Sequence, residues 1–163
     1  SADLYALSEN SNFVICSGAK SILDLSKTNE LLETLGITRI GYQTNYMPGF
    51  WYEETENKVD NRFDEIHEIS SFLKLNENIE NKKSILIFNK VPLNKALNKN
   101  DVEKWINNAA IKADRNNISG KELTPFLIKE INEESKNETL NANTSLIINN
   151  ANLAGKIAKN FYS

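Results

Sequence analysis

Three short apolar runs constrain this chain more than any other feature. Phe13–Cys16 (FVIC), Ile37–Tyr42 (ITRIGY) and Ser84–Phe88 (SILIF) are too short for core helices and are bounded by turn residues, so they read as buried strands. Helical periods fill the intervals. Ala2–Glu9 has room for a short helix with Leu4 and Leu7 on one side. Ser26 is placed to cap a helix carrying Leu31, Leu32 and Leu35, and Gly36 is placed to stop it. Ile66, Ile69 and Leu73 share one face of a helix over Asp64–Leu75. Asn100 or Asp101 opens another, striped by Val102, Trp105, Ile106, Ala109, Ala110 and Ala113. Thr124-Pro125 is a further helix start, and about Leu140–Phe161 is the most periodic stretch of all. Strands alternating with helices predict an α/β layered fold with a parallel sheet, and the last helix is expected to cover one face.

Composition narrows the partners. The 163 residues are 40% hydrophobic and 25% charged, with a net charge of −3, so no basic footprint points to nucleic acid. No apolar run approaches the roughly 20 residues that span a bilayer, and the amino terminus is not signal-like. One cysteine excludes an internal disulfide, and one histidine leaves no room for a His-rich metal site. A reducing, cytoplasmic setting is the default expectation, with an organelle left open. The asparagine-rich loops and helix faces keep their apolar period and read as compositional drift.

The candidate chemistry centres on Phe13–Asp24, FVICSGAKSILD. The Ser17-Gly18-Ala19 turn sets Lys20 at the strand's carboxyl end, where open α/β sheets place binding crevices. Flanked by Ala19, Ile22 and Leu23, this lysine is expected to be partly desolvated, which favours the free, nucleophilic amine. A plain surface lysine is the commoner outcome for the residue type, and the segment alone leaves both readings open. Asn143 and Asn150 share a face of the last helix with Leu146, Ile147, Leu153, Ala154 and Ile157, so each amide needs a partner in protein, water or ligand. Ser1-Ala2-Asp3 at a helix start is a weak anion-site pattern. Cys16 reads as a structural thiol and His67 as part of a solvated helix face. The aromatic loop Tyr46–Tyr52 is suited to base stacking or to a subunit contact. Gly120-Lys121-Glu122 before Thr124 reads as a turn into a capped helix.

Taken together the segments resemble the pseudouridine-5′-phosphate glycosidase family, also called indigoidine synthase A-like. The matching stretches are SADL (Ser1–Leu4), CSGAKSILD (Cys16–Asp24), LLETLGI (Leu31–Ile37), GYQT (Gly41–Thr44), Val91-Pro92, GKELTPFL (Gly120–Leu127) and NANTSLIINNANLAGKIA (Asn141–Ala158). The resemblance implies a three-layer α/β/α fold with a mostly parallel sheet, of which this chain supplies the carboxyl-terminal half. It implies a homotrimeric lyase-type C-glycosidase that cleaves pseudouridine 5′-phosphate reversibly to uracil and ribose 5-phosphate, with a divalent metal, usually Mn2+. Lys20 matches the Schiff-base lysine, Asn143 an active-site asparagine, and Ser1, Ala2 and Asp3 the substrate-binding stretch. The family's metal aspartate falls two positions before Ser1, so no metal ligand is expected in this chain. The general-acid glutamate and a phosphate-side lysine belong to the amino-terminal half, which is the expected partner. Two departures stand out: Glu53-Glu54-Thr55-Glu56 where a Ser-Gly pair is usual, and Lys90 where proline is common. Other outcomes for such a chain are a non-catalytic assembly module of the same fold, or another Schiff-base lyase or aldolase acting on a sugar phosphate.

Overall fold

In a computed structural model the chain is described over residues 2–79 and 83–163. The elements run α1 (Ala2–Glu9), β1 (Phe13–Cys16), α2 (Leu25–Thr34), β2 (Thr38–Tyr42), β3 (Asn61–Phe63), α3 (Ile66–Asn76), β4 (Ile85–Phe88), α4 (Lys99–Arg115), α5 (Leu123–Glu134) and α6 (Glu138–Phe161). Among the described residues four strands form one sheet in the order β1-β4-β2-β3, and every pairing is parallel.

Alternation along the strands builds the layers, because successive side chains point to opposite faces. Ile85 and Ile87 of β4, with Ile40 of β2, pack against Ile69 and Leu73 of α3 and Leu153, Ile157 and Phe161 of α6. Leu86 and Phe88 point the other way, to Leu32 of α2, Ile37 and Met47, with Leu4 and Leu7 of α1 beside them. Helices therefore lie on both faces of the sheet, as expected of a parallel sheet buried on both sides. A third apolar cluster joins Trp51, Tyr52 and Val91 to α4, α5 and the first half of α6, through Val102, Ala109, Leu127, Ile131 and Leu146. The 24-residue α6 spans roughly 36 Å and runs from that cluster on to the sheet.

Several elements differ from their sequence-based expectation. Asp24, not Ser26, caps α2, its carboxylate accepting the Lys27 amide at 3.0 Å. Asn98, not Asn100 or Asp101, caps α4, and its side-chain oxygen accepts both of their amides. Pro125 sits at the third residue of α5, because a 3-10 turn over Gly120–Glu122 leads into that helix. Ile147 is 57% exposed, so it does not share the core face of α6. The short β3 was not expected at all. It is held by Asp60, whose carboxylate accepts the Arg39 amide at 2.8 Å and the Arg39 Nε at 3.2 Å, while its own amide donates to the Arg39 carbonyl. Arg39 also donates to Glu33 at 2.8 Å and to the Asn29 side-chain oxygen. Burial alone would lower the Arg39 pKa, but the bonds to Asp60 and Glu33 outweigh it and hold the guanidinium firmly charged.

Candidate active site

The carboxyl ends of β1 and β4 lie side by side, and α6 crosses them with two adjacent asparagines. The Asn150 side chain donates to Ser17 Oγ at 3.0 Å and accepts from Asn89 Nδ2 at 3.1 Å; Asn149 donates to the Lys90 carbonyl at 3.1 Å. Ser17 and Asn89 are 2% and 6% exposed, so these bonds satisfy groups that have little access to water. Of the partners left open for the Asn150 amide, protein, water or ligand, the structure supplies protein groups, Ser17 and Asn89.

The next turn carries Lys20, and it is clamped from the other side by the loop after β2. Gly18 has φ +88, and a Cβ there would run into the Pro48 carbonyl oxygen, so the close approach of the two loops requires glycine. The Phe50 amide donates to the Ser17 carbonyl at 3.1 Å, and Ser21 Oγ donates to the Gly49 carbonyl. Within that second loop Met47, Trp51 and Tyr52 are core residues, 1%, 5% and 7% exposed. Neither base stacking nor a subunit contact is therefore open to Trp51 and Tyr52 as they stand. Of the aromatics in this loop, Phe50 lines the cleft that Lys20 also lines.

That cleft has a volume of about 980 Å3 and lies between α1, the β1–α2 turn and the sheet face. Its floor is apolar, from Leu4, Leu7, Val14, Leu86 and Phe88, and its polar rim includes Asp3, Lys20, Lys27 and Thr124. An apolar cavity with a few convergent polar groups is the usual form of a small-molecule site. Lys20 is exposed at the rim, contrary to the expected partial desolvation: Leu23 turns outward, 45% exposed, leaving only Ala19 and Ile22 half-buried beside it.

The other expected site residues separate into groups. Asp3 lines the same cleft, and Ala2 precedes it, exposed, as the first residue of α1. Ser1 lies outside the described residues. Asn143 is half-buried on α6 and is not among the side chains lining the cleft. Cys16 does line it, but burial pushes its thiol up to about 11, against a weaker opposing bond from the Gly18 backbone, so it is not a thiolate at neutral pH. His67 is exposed on α3. Among the described residues no three His, Cys, Asp or Glu side chains gather as a metal-binding group. A divalent metal does not fit the donors present here, and no step is routed through one. Nor, among the described residues, is any helix long and apolar enough to cross a membrane.

The two sequence departures meet in space. Lys90, just past β4, lies 3.2 Å from Glu54 and 3.6 Å from Glu53, and Thr44 Oγ1 donates to Glu54 at 2.8 Å. Desolvation would raise the Glu54 carboxyl, but the bonds from Thr44 and Lys90 prevail and hold it below its ordinary value. A lysine and two glutamates thus fasten the aromatic loop to the end of β4.

The family model described as indigoidine synthase A like protein matches residues 1–160. The chain is 43% identical over 158 residues to the pseudouridine-5′-phosphate glycosidase of Kosmotoga olearia, covering 97% of this chain and 55% of that protein. It is likewise 43% identical to the pseudouridine-5′-phosphate glycosidase of Petrotoga mobilis, over 99% of this chain and 53% of that one. Among solved structures it resembles the prealnumycin C-glycosynthase AlnA in complex with ribulose 5-phosphate, with a TM-score of 0.89 and 27% identity over 99% of this chain and 53% of that one. An indigoidine synthase A-like protein from Thermotoga maritima matches with a TM-score of 0.84 and 33% identity, over 97% and 52%. The chain spans about half the length of the relatives it matches.

Proposed function

The chain belongs to the indigoidine synthase A like protein family, and from that membership we propose that it carries the Schiff-base lysine, Lys20, of an enzyme that cleaves pseudouridine 5′-phosphate to uracil and ribose 5-phosphate. The observation that carries this reading is the placement of Lys20 at the rim of a cleft, on a turn clamped from both sides by α6 and the Pro48–Phe50 loop. The names of the relatives support the substrate. The neighbouring C-glycosynthase, whose structure is a complex with ribulose 5-phosphate, supports a sugar phosphate in this fold and a bond from sugar to carbon.

The chemistry requires such a lysine. In a C-glycoside the leaving atom is a ring carbon, so protonating a leaving oxygen, the usual glycosidase device, is unavailable. The bond from the anomeric carbon to the ring oxygen breaks, its electron pair leaving with that oxygen, which takes a proton. The neutral amine of Lys20 bonds to the anomeric carbon in its place and loses a proton, so that its nitrogen lone pair can drive the next step and form the iminium. The carbon–carbon bond then breaks, its electron pair leaving with the uracil carbon, which takes a proton. Water hydrolyses the remaining imine, releasing ribose 5-phosphate and returning the amine. Asp3 at the rim, with Ser1 and Ala2, would hold substrate, and Asn143 would act from α6. The general acid, a divalent metal such as Mn2+ and the remaining phosphate contacts would come from the complementary half of the family chain, within a homotrimer.

Borohydride reduction in the presence of ribose 5-phosphate, on the chain joined to that complementary half, tests this directly. The expected result is a reduced sugar adduct mapped to the peptide containing Lys20, and loss of both adduct and uracil release in Lys20→Ala, by at least ~10^3-fold. Absence of any adduct on Lys20 would leave the fold as a non-catalytic assembly module. An adduct without uracil release would assign the chain to a different sugar-phosphate lyase or aldolase.

A further inference from the structure

Helix α6 carries Asn149 and Asn150 side by side, and they reach different parts of the molecule. Asn149 donates to the Lys90 carbonyl and so ties α6 to the end of β4. Asn150 lies between the ends of β4 and β1. Its Oδ1 accepts from Asn89 Nδ2 at 3.1 Å, and its Nδ2 donates to Ser17 Oγ at 3.0 Å. Ser17 is the first residue beyond β1, and Lys20 follows three positions later.

Three bonds converge on this point. The Ser17 hydroxyl takes Asn150, the Ser17 carbonyl accepts the Phe50 amide at 3.1 Å, and the Cys16 carbonyl accepts the Asn89 amide at 2.9 Å. The last two are main-chain bonds. Only the first joins two side chains, and it comes from a different layer. Beyond Ser17 the turn is held more lightly. Gly18 has φ +88, the Leu23 amide donates to the Lys20 carbonyl at 2.9 Å, Ser21 Oγ donates to the Gly49 carbonyl, and Lys20 is exposed. An exposed side chain three residues from a buried anchor takes its position from that anchor.

An apolar contact would hold α6 against β1 without the cost of burying amides and a hydroxyl. Hydrogen bonds add direction, and a fully satisfied polar network specifies one arrangement. Neither Ser17 nor Asn150 lines the cleft, so the pair reaches a substrate only through the turn. Asn143 lies seven residues before Asn150, on the same face of α6 and about 10 Å along its axis.

We propose that Asn150 is a positioning residue for Lys20. Its amide, oriented by Asn89 and bonded to Ser17, sets the turn that presents the lysine to the cleft and fixes that turn relative to the face of α6 bearing Asn143. This rests on the reading of Lys20 as the nucleophile, and it adds what holds the nucleophile in place.

Two neighbouring substitutions separate positioning from support. In the chain joined to the complementary half, Asn150→Ala breaks the bond to Ser17, and Asn149→Ala breaks only the bond to Lys90. With ribose 5-phosphate as the probe, Asn150→Ala should lower the maximal rate of borohydride trapping about 10–100-fold. The half-saturating concentration of ribose 5-phosphate should change by less than ~2-fold, and Asn149→Ala should change neither quantity by more than that. Ser17→Ala breaks the same bond from the other side and leaves Asn89 on Asn150. It should reproduce the loss even where Asn150→Ala is too unstable to assay, and the double variant should lose no more than either single one. Amide exchange reads the turn without any chemistry. The Phe50 and Leu23 amides, which donate to the Ser17 and Lys20 carbonyls, should exchange at least ~10-fold faster in either variant, with Ile40 and Ile87 unchanged. Equal losses in Asn149→Ala and Asn150→Ala would make both residues supports of α6 and overturn the proposal. So would unchanged trapping in a folded Asn150→Ala or Ser17→Ala, or lost trapping without faster exchange at those amides. If the parent traps no adduct while the amides respond as expected, the functional reading fails and the anchoring of the turn by Asn150 stands.

Discussion

At one edge of the sheet β3 offers three residues beside a corner that closes on itself. Arg39, Asp60, Glu33 and Asn29 bond to one another there. At the other edge β1 offers an apolar strand between two grooves and a lysine in water. The first corner satisfies its buried charge with groups from its own elements. Among the described residues the second pairs β1 on one side only, leaves its apolar side chains half-buried beside two grooves, and holds its candidate nucleophile in water. The difference separates the regions: the β2–β3 side closes on its own charges, and the β1 side leaves a cleft with an exposed lysine at its rim.

Truncations across the sheet should expose this asymmetry most strongly. Ile87 is fully buried at the centre of the sheet, so Ile87→Ala should destabilise by about 3–4 kcal/mol in urea unfolding. Val14, half-buried on β1, should cost about 1 kcal/mol on truncation in the isolated chain. Equal costs for both sites in the isolated chain would mean that β1 is already covered.

The closed corner makes the next largest prediction. Asp60→Asn leaves a buried guanidinium without its main counter-charge, which in a fully buried pair costs ~3–5 kcal/mol. Asp60 is 37% exposed, so water screens part of that loss and about 2 kcal/mol is expected. The β3 amides should exchange faster in this variant while those of β1 do not change. Co-loosening of both edges would show that the two regions are not independent.

At the open edge, Gly18→Ala tests the clamp on the Lys20 turn. The alanine would have to hold a positive φ and displace the Pro48 carbonyl, at a cost of about 1–2 kcal/mol. Its larger effect should fall on function, because Lys20 moves with the turn. Adduct formation with ribose 5-phosphate should fall while the β2–β3 corner keeps its protection.

The legible and illegible parts of the molecule follow the same division. FVIC, ITRIGY and SILIF declared strands because each is a short apolar run, and α6 declared itself by period over seven turns. Strand β3 could not be read from Asn61-Arg62-Phe63, since what makes it a strand is the Asp60 clamp on Arg39, a residue of β2. Asp24 and Ser26 are both good caps, and only backbone geometry chooses between them. The turn that carries Lys20 was legible, as was its position after β1. Its exposure was not, because neighbours in sequence say nothing about which side chains turn outward, and Leu23 does. The Asn150 bonds to Ser17 and Asn89 join residues far apart in the chain, and no local pattern announces them.

The smallest prediction concerns the ion pair that joins the aromatic loop to the end of β4. Glu54 and Lys90 are both partly in water, 37% and 28% exposed, so Glu54→Gln should cost well under ~1 kcal/mol. The sign of its pH dependence is nevertheless defined. The folded carboxyl titrates below its ordinary value of 4.5, so its contribution is complete above that value and is lost as pH falls through the folded pKa. The stability of the parent chain should therefore fall more than that of Glu54→Gln as the pH drops from about 4.5 to the lower folded value, and the two curves should run parallel above 4.5. The loop held by this pair also carries Pro48, Gly49 and Phe50, which clamp the Lys20 turn. If Glu54→Gln lowers adduct formation while stability at neutral pH is unchanged, the pair belongs to the open edge as a positioning contact. If neither changes, the clamp stands without the pair, on Gly18, the Phe50 amide and the Ser21 hydroxyl.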